Sequence, residues 1–389
     1  MRMMLWIVTT VLLLAAAGLA AAGWVFSSQI LVPAPYQLFP EWNLGPVREV
    51  SDGRYEVVLP VPSDVPPPQA ARSDAEGTFG LLWEGGAGRL GPVLGRGDGT
   101  VVRRVDVTRG TPPAEGLPAR IDVTLFATPA DRDLAHEDVT IPGPLGPLPA
   151  WWLPADAETG DPTTAIVSLH GRRRADRTET LRLLPTLSAS GASVLAPSYR
   201  NHDASPASPD GYFHYGATEV EDAAAALTWL AGQGVERVVL VGYSMGGAIQ
   251  LGLLADYPTD APEVLGVILD SPMIDPFAAF RIGAEKMGIP LAEPLAAWAT
   301  RVASWRAGID FPALDRRTIA PQIDVPVLLI AGTGDMTTPI EEIDGFAEAL
   351  PQAPTYLRLD GVEHVEAWNE DPERYEASVA TFLQAVLPR

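Results

Sequence analysis

The stretch that most constrains how this chain folds is Val238-Val239-Leu240-Val241-Gly242-Tyr243-Ser244-Met245-Gly246-Gly247. A short β-branched run ends in Gly-x-Ser-x-Gly, and a helix-forming run from Ala248 to Leu254 follows at once. The pattern is a strand, a tight turn and a helix in succession, with a serine at the apex. Glycines flank that serine where strand and helix meet so closely that a side chain would collide. A serine hydroxyl is a poor nucleophile unless it is held rigidly beside a base. This context supplies the rigid holding, so Ser244 is the candidate nucleophile.

The same rhythm surrounds the turn. From Glu137 onward, apolar strands alternate with helical patterns: Ala165 to Leu169, Ala192 to Ala196, Val238 to Val241, Val264 to Leu269, Val327 to Ile330 and Thr355 to Leu359. Continuously apolar strands separated by helices predict a mostly parallel sheet covered on both faces. Helices are expected near Thr180 to Leu187, Glu219 to Ala231 and Ile340 to Leu350, and at the C-terminus from Pro372 to Val386. The rhythm stops between Phe277 and Ile319, where two helices read as an insertion spanning 276–320, either ordinary packing or a lid over the site. Ahead of this α/β region, residues 33–134 read as a small β-rich accessory domain with strands near Tyr55, Phe79, Val101 and Ile121, opened by a proline-rich spacer from Pro33 to Pro40. Its glycine-dense segment, Gly85 to Gly99, reads as a set of β-turns, because no Gly-Lys-Ser/Thr follows to make a phosphate loop.

Residues 1–32 form a third unit. Arg2 precedes an apolar run from Met3 to Phe26, long enough for the roughly 20 residues that cross a bilayer core. The expectation is a single transmembrane helix, with a signal cleaved near Ala20-Ala21-Ala22 as the alternative. Positive-inside bias from Arg2 then puts the body of the protein outside the cytoplasm. The formal net charge of −22, with Lys286 the only lysine, argues against nucleic acid as a partner. The chain has no cysteine, which excludes disulfides, thiolate metal sites and cysteine nucleophiles.

Four segments resemble the motifs of the α/β-hydrolase superfamily of serine hydrolases, in the family's order: Leu169-His170-Gly171, Gly242-Tyr243-Ser244-Met245-Gly246, Gly332-Thr333-Gly334-Asp335 and Gly361-Val362-Glu363-His364. The resemblance covers roughly Glu137 to Pro388, so the catalytic domain is set at 135–389, and it is nearest the prolyl-oligopeptidase-like and monoglyceride-lipase-like branch. It implies the α/β-hydrolase fold, with Ser244 as nucleophile, His364 as general base and acid, and Asp335 as the carboxylate orienting it. It also implies an oxyanion hole built from the backbone N–H groups of Met245 and Arg172. No cofactor or metal is implied. The expected activity is hydrolysis of a small-molecule carboxylic ester or other acyl substrate through an acyl-enzyme. A peptidase or amidase on the same residues is the rival, and a non-catalytic envelope binding module is a further one.

Bland readings compete at several positions. Asp270 ends the strand before the insertion and rivals Asp335 as the acid. His170 is expected to buttress its loop and His136 to lie at the surface; His202 and His214 read as solvated loop residues. A metal site from those two with Asp203 and Asp210 lacks ligand spacing. Arg172-Arg173-Arg174 is either a solvated loop or an attractor for an anionic substrate, and Tyr212 to Gly216 either anchors a loop or lines the mouth of the site.

Overall fold

The computed structural model describes residues 2–33, 42–61, 73–172, 177–202, 204–286 and 288–388. Most of the expected proline-rich spacer, together with Arg173, Arg174 and Asp203, lies outside them.

Two sheets organise the chain. The first comprises β1 (Trp42–Asn43), β2 (Val47–Ser51), β3 (Arg54–Pro60), β4 (Phe79–Trp83), β5 (Gly86–Gly97), β6 (Thr100–Gly110) and β7 (Pro118–Asp122). Its order is β1-β7-β4-β5-β6-β3-β2, with antiparallel pairing throughout. Alternation in β3 buries Tyr55, Val57 and Leu59 against Leu81, Leu90 and Val105 on one face. Here the sequence reading needs correction: the glycine-dense segment is a twelve-residue strand, β5, rather than turns. Its glycines permit close backbone approach and irregular pairing. A Cβ on Gly88 would stand 2.7 Å from the Asp106 carbonyl oxygen, and the register against β6 shifts three times.

The second sheet holds β8 (Glu137–Gly143), β9 (Gly146–Leu153), β10 (Asp161–Leu169), β11 (Ala192–Pro197), β12 (Arg237–Tyr243), β13 (Glu263–Asp270), β14 (Val327–Gly332) and β15 (Thr355–Leu359). Its order is β15-β14-β13-β12-β10-β11-β9-β8. Strands β10 to β15 pair in parallel, and β8 and β9 form an antiparallel edge. Alternate residues of each strand feed opposite cores. Val238 and Leu240 join one cluster with Ile249 and Phe346, whereas Val239 and Val241 join the other with Leu184 and Phe382. Both faces are thus covered by helices, which is why the strands read as unbroken apolar runs. The helix expected over Thr180 to Leu187 is split into a 3-10 turn, Arg177–Arg182, and α2 (Leu184–Ser188), because Pro185 sits where a continuous helix would need an amide donor. Helices α3 (Val220–Gly232), α4 (Met245–Ala255), α7 (Ile340–Ala349), α8 (Ala367–Glu370) and α9 (Pro372–Val386) complete the layers. The insertion between β13 and β14 contains α5 (Pro276–Lys286) and α6 (Ala292–Ala307).

The apolar N-terminal run forms one helix, α1 (Arg2–Leu31), but it does not bear out the expected span. Among the described residues, no helix is long and apolar enough to cross a membrane. The second half of α1 is instead committed to the protein. Ser27, Ile30 and Leu31 are buried, and Trp298 of α6 donates its indole N–H to the Leu19 carbonyl at 2.8 Å. Arg306 donates to the Ser27 and Ser28 hydroxyls at 2.7 and 2.8 Å and stacks over the Trp24 ring. The orphan carbonyls at the helix end are met too: Phe213 N–H donates to Leu31, and Arg172 and Tyr215 donate to Ile30. Trp298 therefore faces α1.

Arg306→Ala removes the hydroxyl bonds and the stacking together. At about 1 kcal/mol per net hydrogen bond, this predicts a melting temperature lower by roughly 2–4 °C or more. An unchanged melting curve would show that α1 is not docked in this way.

Candidate active site

The parallel strands deliver four loops to one edge of the second sheet, the carboxyl edge where open α/β sheets place their ligands. β12 delivers Ser244, β10 delivers His170-Gly171-Arg172, β14 delivers Asp335 and β15 delivers His364. Ser244 has φ 50° and ψ −115°, a strained backbone for a non-glycine residue. It is held there by its neighbours: its N–H donates to the Asp270 carbonyl at 2.9 Å, and its own carbonyl accepts from Gly247 and Met273, each at 3.0 Å. Gly246 lets α4 close onto β10. A Cβ there would stand 2.5 Å from the His170 carbonyl oxygen and nearer still to that of Leu169.

Around this turn the side chains form a continuous chain. Ser244 Oγ lies 2.9 Å from His364 Nε2, and His364 Nδ1 lies 2.7 Å from Asp335 Oδ2. Asp335 is fully buried, and its other oxygen accepts the N–H groups of Thr337 and Thr338 at 2.7 and 2.8 Å. The Thr338 hydroxyl donates to Asp335 Oδ2 at 2.7 Å. Burial pushes the Asp335 carboxyl upward, but His364 and the threonine donors outweigh it, so its pKa is lowered. For His364, burial disfavours the imidazolium, yet the Asp335 carboxylate prevails, with Glu179 and Asp270 adding, and the pKa is raised. The rival acid is occupied elsewhere. Asp270 accepts the Tyr375 hydroxyl at 2.9 Å and the Ser271 hydroxyl at 3.2 Å, and burial raises its pKa.

The loop after β10 runs beside the nucleophile: a Cβ on Gly171 would stand 3.0 Å from Ser244 Cβ. Its peptide groups are fixed from two sides. Glu179 accepts the Gly171 N–H at 2.6 Å, and the Tyr199 hydroxyl donates to the His170 and Gly171 carbonyls at 2.9 and 3.0 Å. His170 is stacked on Tyr199 and buried. Burial, with His202 adding, keeps its pKa well below the ordinary imidazole value, so it is a neutral buttress. Met245 opens α4, so its amide belongs to the first turn, which has no intrahelical partner.

Several expectations change at this edge. The Arg172 guanidinium is spent on the Ile30 carbonyl and the Tyr215 hydroxyl, and it lies over the Phe213 and Tyr215 rings. It is thus a strut between the loop after β10 and α1 rather than a lure for anions. His202 and His214 are buried, not solvated: His202 contacts the Arg172 carbonyl at 3.2 Å, and His214 contacts Asp210 at 2.9 Å and Thr218 at 2.7 Å. Among the described residues no cluster suited to a metal occurs. The Tyr212 to Gly216 segment anchors a loop, since Phe213 and Tyr215 are buried. Glu179, Thr338 and Ser271 escaped the sequence reading. Asp-x-x-Thr after a strand is a legible Asx-turn signal for Thr338; nothing local marks Glu179.

Comparison with known proteins bears on the fold. Residues 166–288 match a family model described as the alpha/beta hydrolase fold, and residues 46–122 match one described as a domain of unknown function, DUF8805. An esterase of Pyrococcus furiosus superposes with a TM-score of 0.52 at 24% identity, covering 68% of this chain and 95% of its own. An esterase of Pyrobaculum calidifontis gives 0.49 at 21% identity, covering 65% and 87%. An uncharacterized protein of Mycobacterium tuberculosis is 28% identical over 255 residues, 64% of this chain and 76% of its own. The chain carries the α/β-hydrolase fold. Ahead of the fold, the β-sheet module contains the segment that matches the domain of unknown function.

The competition between the two aspartates is measurable without a substrate. Asp335→Asn is expected to lower the His364 pKa in an NMR titration, because the prevailing upward influence is that carboxylate. Asp270→Asn is expected to change it far less. The reverse ranking would transfer the orienting role to Asp270.

Proposed function

We propose that this protein is a serine hydrolase that cleaves a carboxylic ester on a small molecule, of the prolyl-oligopeptidase-like or monoglyceride-lipase-like branch. The observation that carries the reading is the unbroken chain Ser244 Oγ–His364 Nε2 and His364 Nδ1–Asp335 Oδ2, at 2.9 and 2.7 Å. In this reading Ser244 Oγ attacks the acyl carbon as His364 Nε2 takes its proton. His364 then protonates the departing alkoxide, leaving an acyl-enzyme, and the same imidazole activates the water that releases the acid. Asp335 fixes the tautomer and stabilises the imidazolium. The backbone N–H groups of Met245 and Arg172 meet the oxyanion; one such donor typically contributes about 10²–10³ in rate. Glu179 and Tyr199 then have a clear purpose, because a rigid loop holds the second donor in place. The likeness of fold to an esterase of Pyrococcus furiosus supports the ester class. The insertion fits a cap over the acyl site: a Cβ on Gly283 of α5 would lie 3.4 Å from the Met336 carbonyl in the Asp335 loop.

Placement outside the cytoplasm is carried as part of this proposal, with the apolar run behind Arg2 read as an export signal, the alternative to a span. Protease added to intact cells should degrade the chain; protection until lysis would place it inside.

Ser244→Ala should abolish hydrolysis of short activated esters and labelling by a fluorophosphonate probe while leaving the melting curve in place; retained labelling would exclude Ser244. Asp335→Asn should cut turnover by about 10⁴. The raised His364 pKa also fixes the sign of the pH profile. Protonated His364 cannot accept the Ser244 proton, so kcat/KM should fall on the acid side with a limb above the ordinary histidine value of 6.5. A limb below that value would contradict the coupling to Asp335.

A further inference from the structure

The residue after His364 has an unusual backbone. Val365 is β-branched, buried and left-handed, with φ 57°, a conformation that such a residue adopts only when its surroundings impose it. Both of its peptide groups are pinned. Its N–H donates to the Ser271 hydroxyl at 3.1 Å, and its carbonyl accepts from Arg182 Nη1 at 2.8 Å. Arg182 is a buried cation at the end of the 3-10 turn that also carries Glu179, and its Nε reaches the Glu179 carbonyl at 3.3 Å. One guanidinium therefore ties the histidine loop to the turn whose Glu179 clamps Gly171.

That guanidinium is itself held from the first sheet's side. Arg182 Nη1 donates to Asn369 Oδ1 at 2.8 Å, and Asn369 is fully buried. The Asn369 amide donates to the carbonyls of Thr78 and Val123, at 2.8 and 3.0 Å, and the Thr78 N–H donates to the Asn369 carbonyl at 2.7 Å. Thr78 and Val123 flank β4 and β7 of the β-rich module. Gly77 makes the approach close enough: its φ is +105°, and a Cβ there would press on the Asn369 carbonyl and stand 3.1 Å from Glu370 Cα. Behind it, the buried Arg103 staples the same segment by donating to the carbonyls of Ser73 and Ala75 at 2.8 and 2.7 Å.

We propose that the β-rich module positions the histidine of the active site: it fixes Asn369, which orients Arg182, which holds the strained Val365 and so the His364 ring. Asn369 and Arg182 are positioning residues, touching no reacting atom. The module that matches a domain of unknown function thereby acquires a role in catalysis as well as in packing. Polar and charged groups face His364 from every side: Asp335 and Thr338 from the loop after β14, Glu179 from the 3-10 turn, Asp270 from the end of β13, Ser244 from the turn, and Arg182 through the Val365 carbonyl. None of these groups is replaced in Asn369→Ala or Gly77→Ala, so a change in His364 titration in either variant reports a displacement passed on through Arg182.

The inference rests on the reading of His364 as the general base, and the test separates the two. Full-length wild type, Asn369→Ala and Gly77→Ala are compared by NMR titration of His364, assigned with His364→Ala, and by steady-state hydrolysis of a short p-nitrophenyl ester. The expected result is a lower His364 pKa in both variants, as the ring drifts from Asp335, with kcat reduced about tenfold or more and KM nearly unchanged. Gly77→Ala keeps the test decisive if Asn369→Ala does not fold, since Gly77 is only partly buried and the substitution removes no side-chain hydrogen bond. Wild-type His364 titration in a folded variant, or a loss confined to KM or to melting temperature, would overturn the proposal. If wild type hydrolyses no ester while the His364 shift still appears, the esterase reading fails and the positioning role stands.

Discussion

The close approach of α4 to β10 through Gly246 is the constraint on which the site depends. With no side chain between them, the helix can begin where the strand ends, and the serine at the turn is forced into a backbone conformation that solvent alone would not select. Ser244 is then fixed by carbonyl and amide contacts with β13 and with Met273, independent of its own side chain. The first amides of α4 and the Gly171 loop arrive on the same side of it. In the proposed reading, a rigid nucleophile and a rigid anion site are thus consequences of one packing contact rather than two separate achievements.

Charge is distributed around that contact with unusual economy. Beneath the site lie Glu179, Asp270 and Asp335, all buried, with Arg182 the cation among them. Burial raises the first two, whereas Asp335 is lowered by His364 and the donors of Thr337 and Thr338. Similar carboxyls in one region therefore acquire different chemistry from their hydrogen-bond partners. Only Asp335 is aimed at the imidazole; Asp270 spends its acceptors on Tyr375 and Ser271, and Glu179 on a backbone amide.

What was legible in the sequence follows from locality. The turn at Ser244 announces itself because strand, glycine and helix signals sit within about a dozen residues, and the parallel sheet shows in its unbroken apolar strands. The order of Ser244, Asp335 and His364 could be placed through resemblance, and the geometry brings them together. Most of the misses are non-local. Nothing near Gly86 to Gly97 reveals that a partner strand will straighten a glycine-rich segment. The Met3 to Phe26 run reads the same whether lipid or α6 receives it, so the docking of Ser27 to Leu31 onto Arg306, Phe213 and Arg172 was invisible. His202 and His214 sit in a polar loop whose burial is decided by Tyr199, Phe213 and Arg172, and Arg182 finds its partners 183 and 187 positions away. A cation at such a distance in sequence leaves no periodic trace.

The central claim, that Ser244 acts as a nucleophile driven by the His364–Asp335 pair, is tested most directly by trapping the intermediate. The protein is mixed with excess activated ester, quenched in acid within the first turnovers, and its peptides are mapped by mass spectrometry. The account predicts one acyl group per chain, on the peptide containing Ser244, accumulating faster as pH rises through the His364 titration. Turnover with no adduct under burst conditions, or an adduct on a different residue, would contradict it.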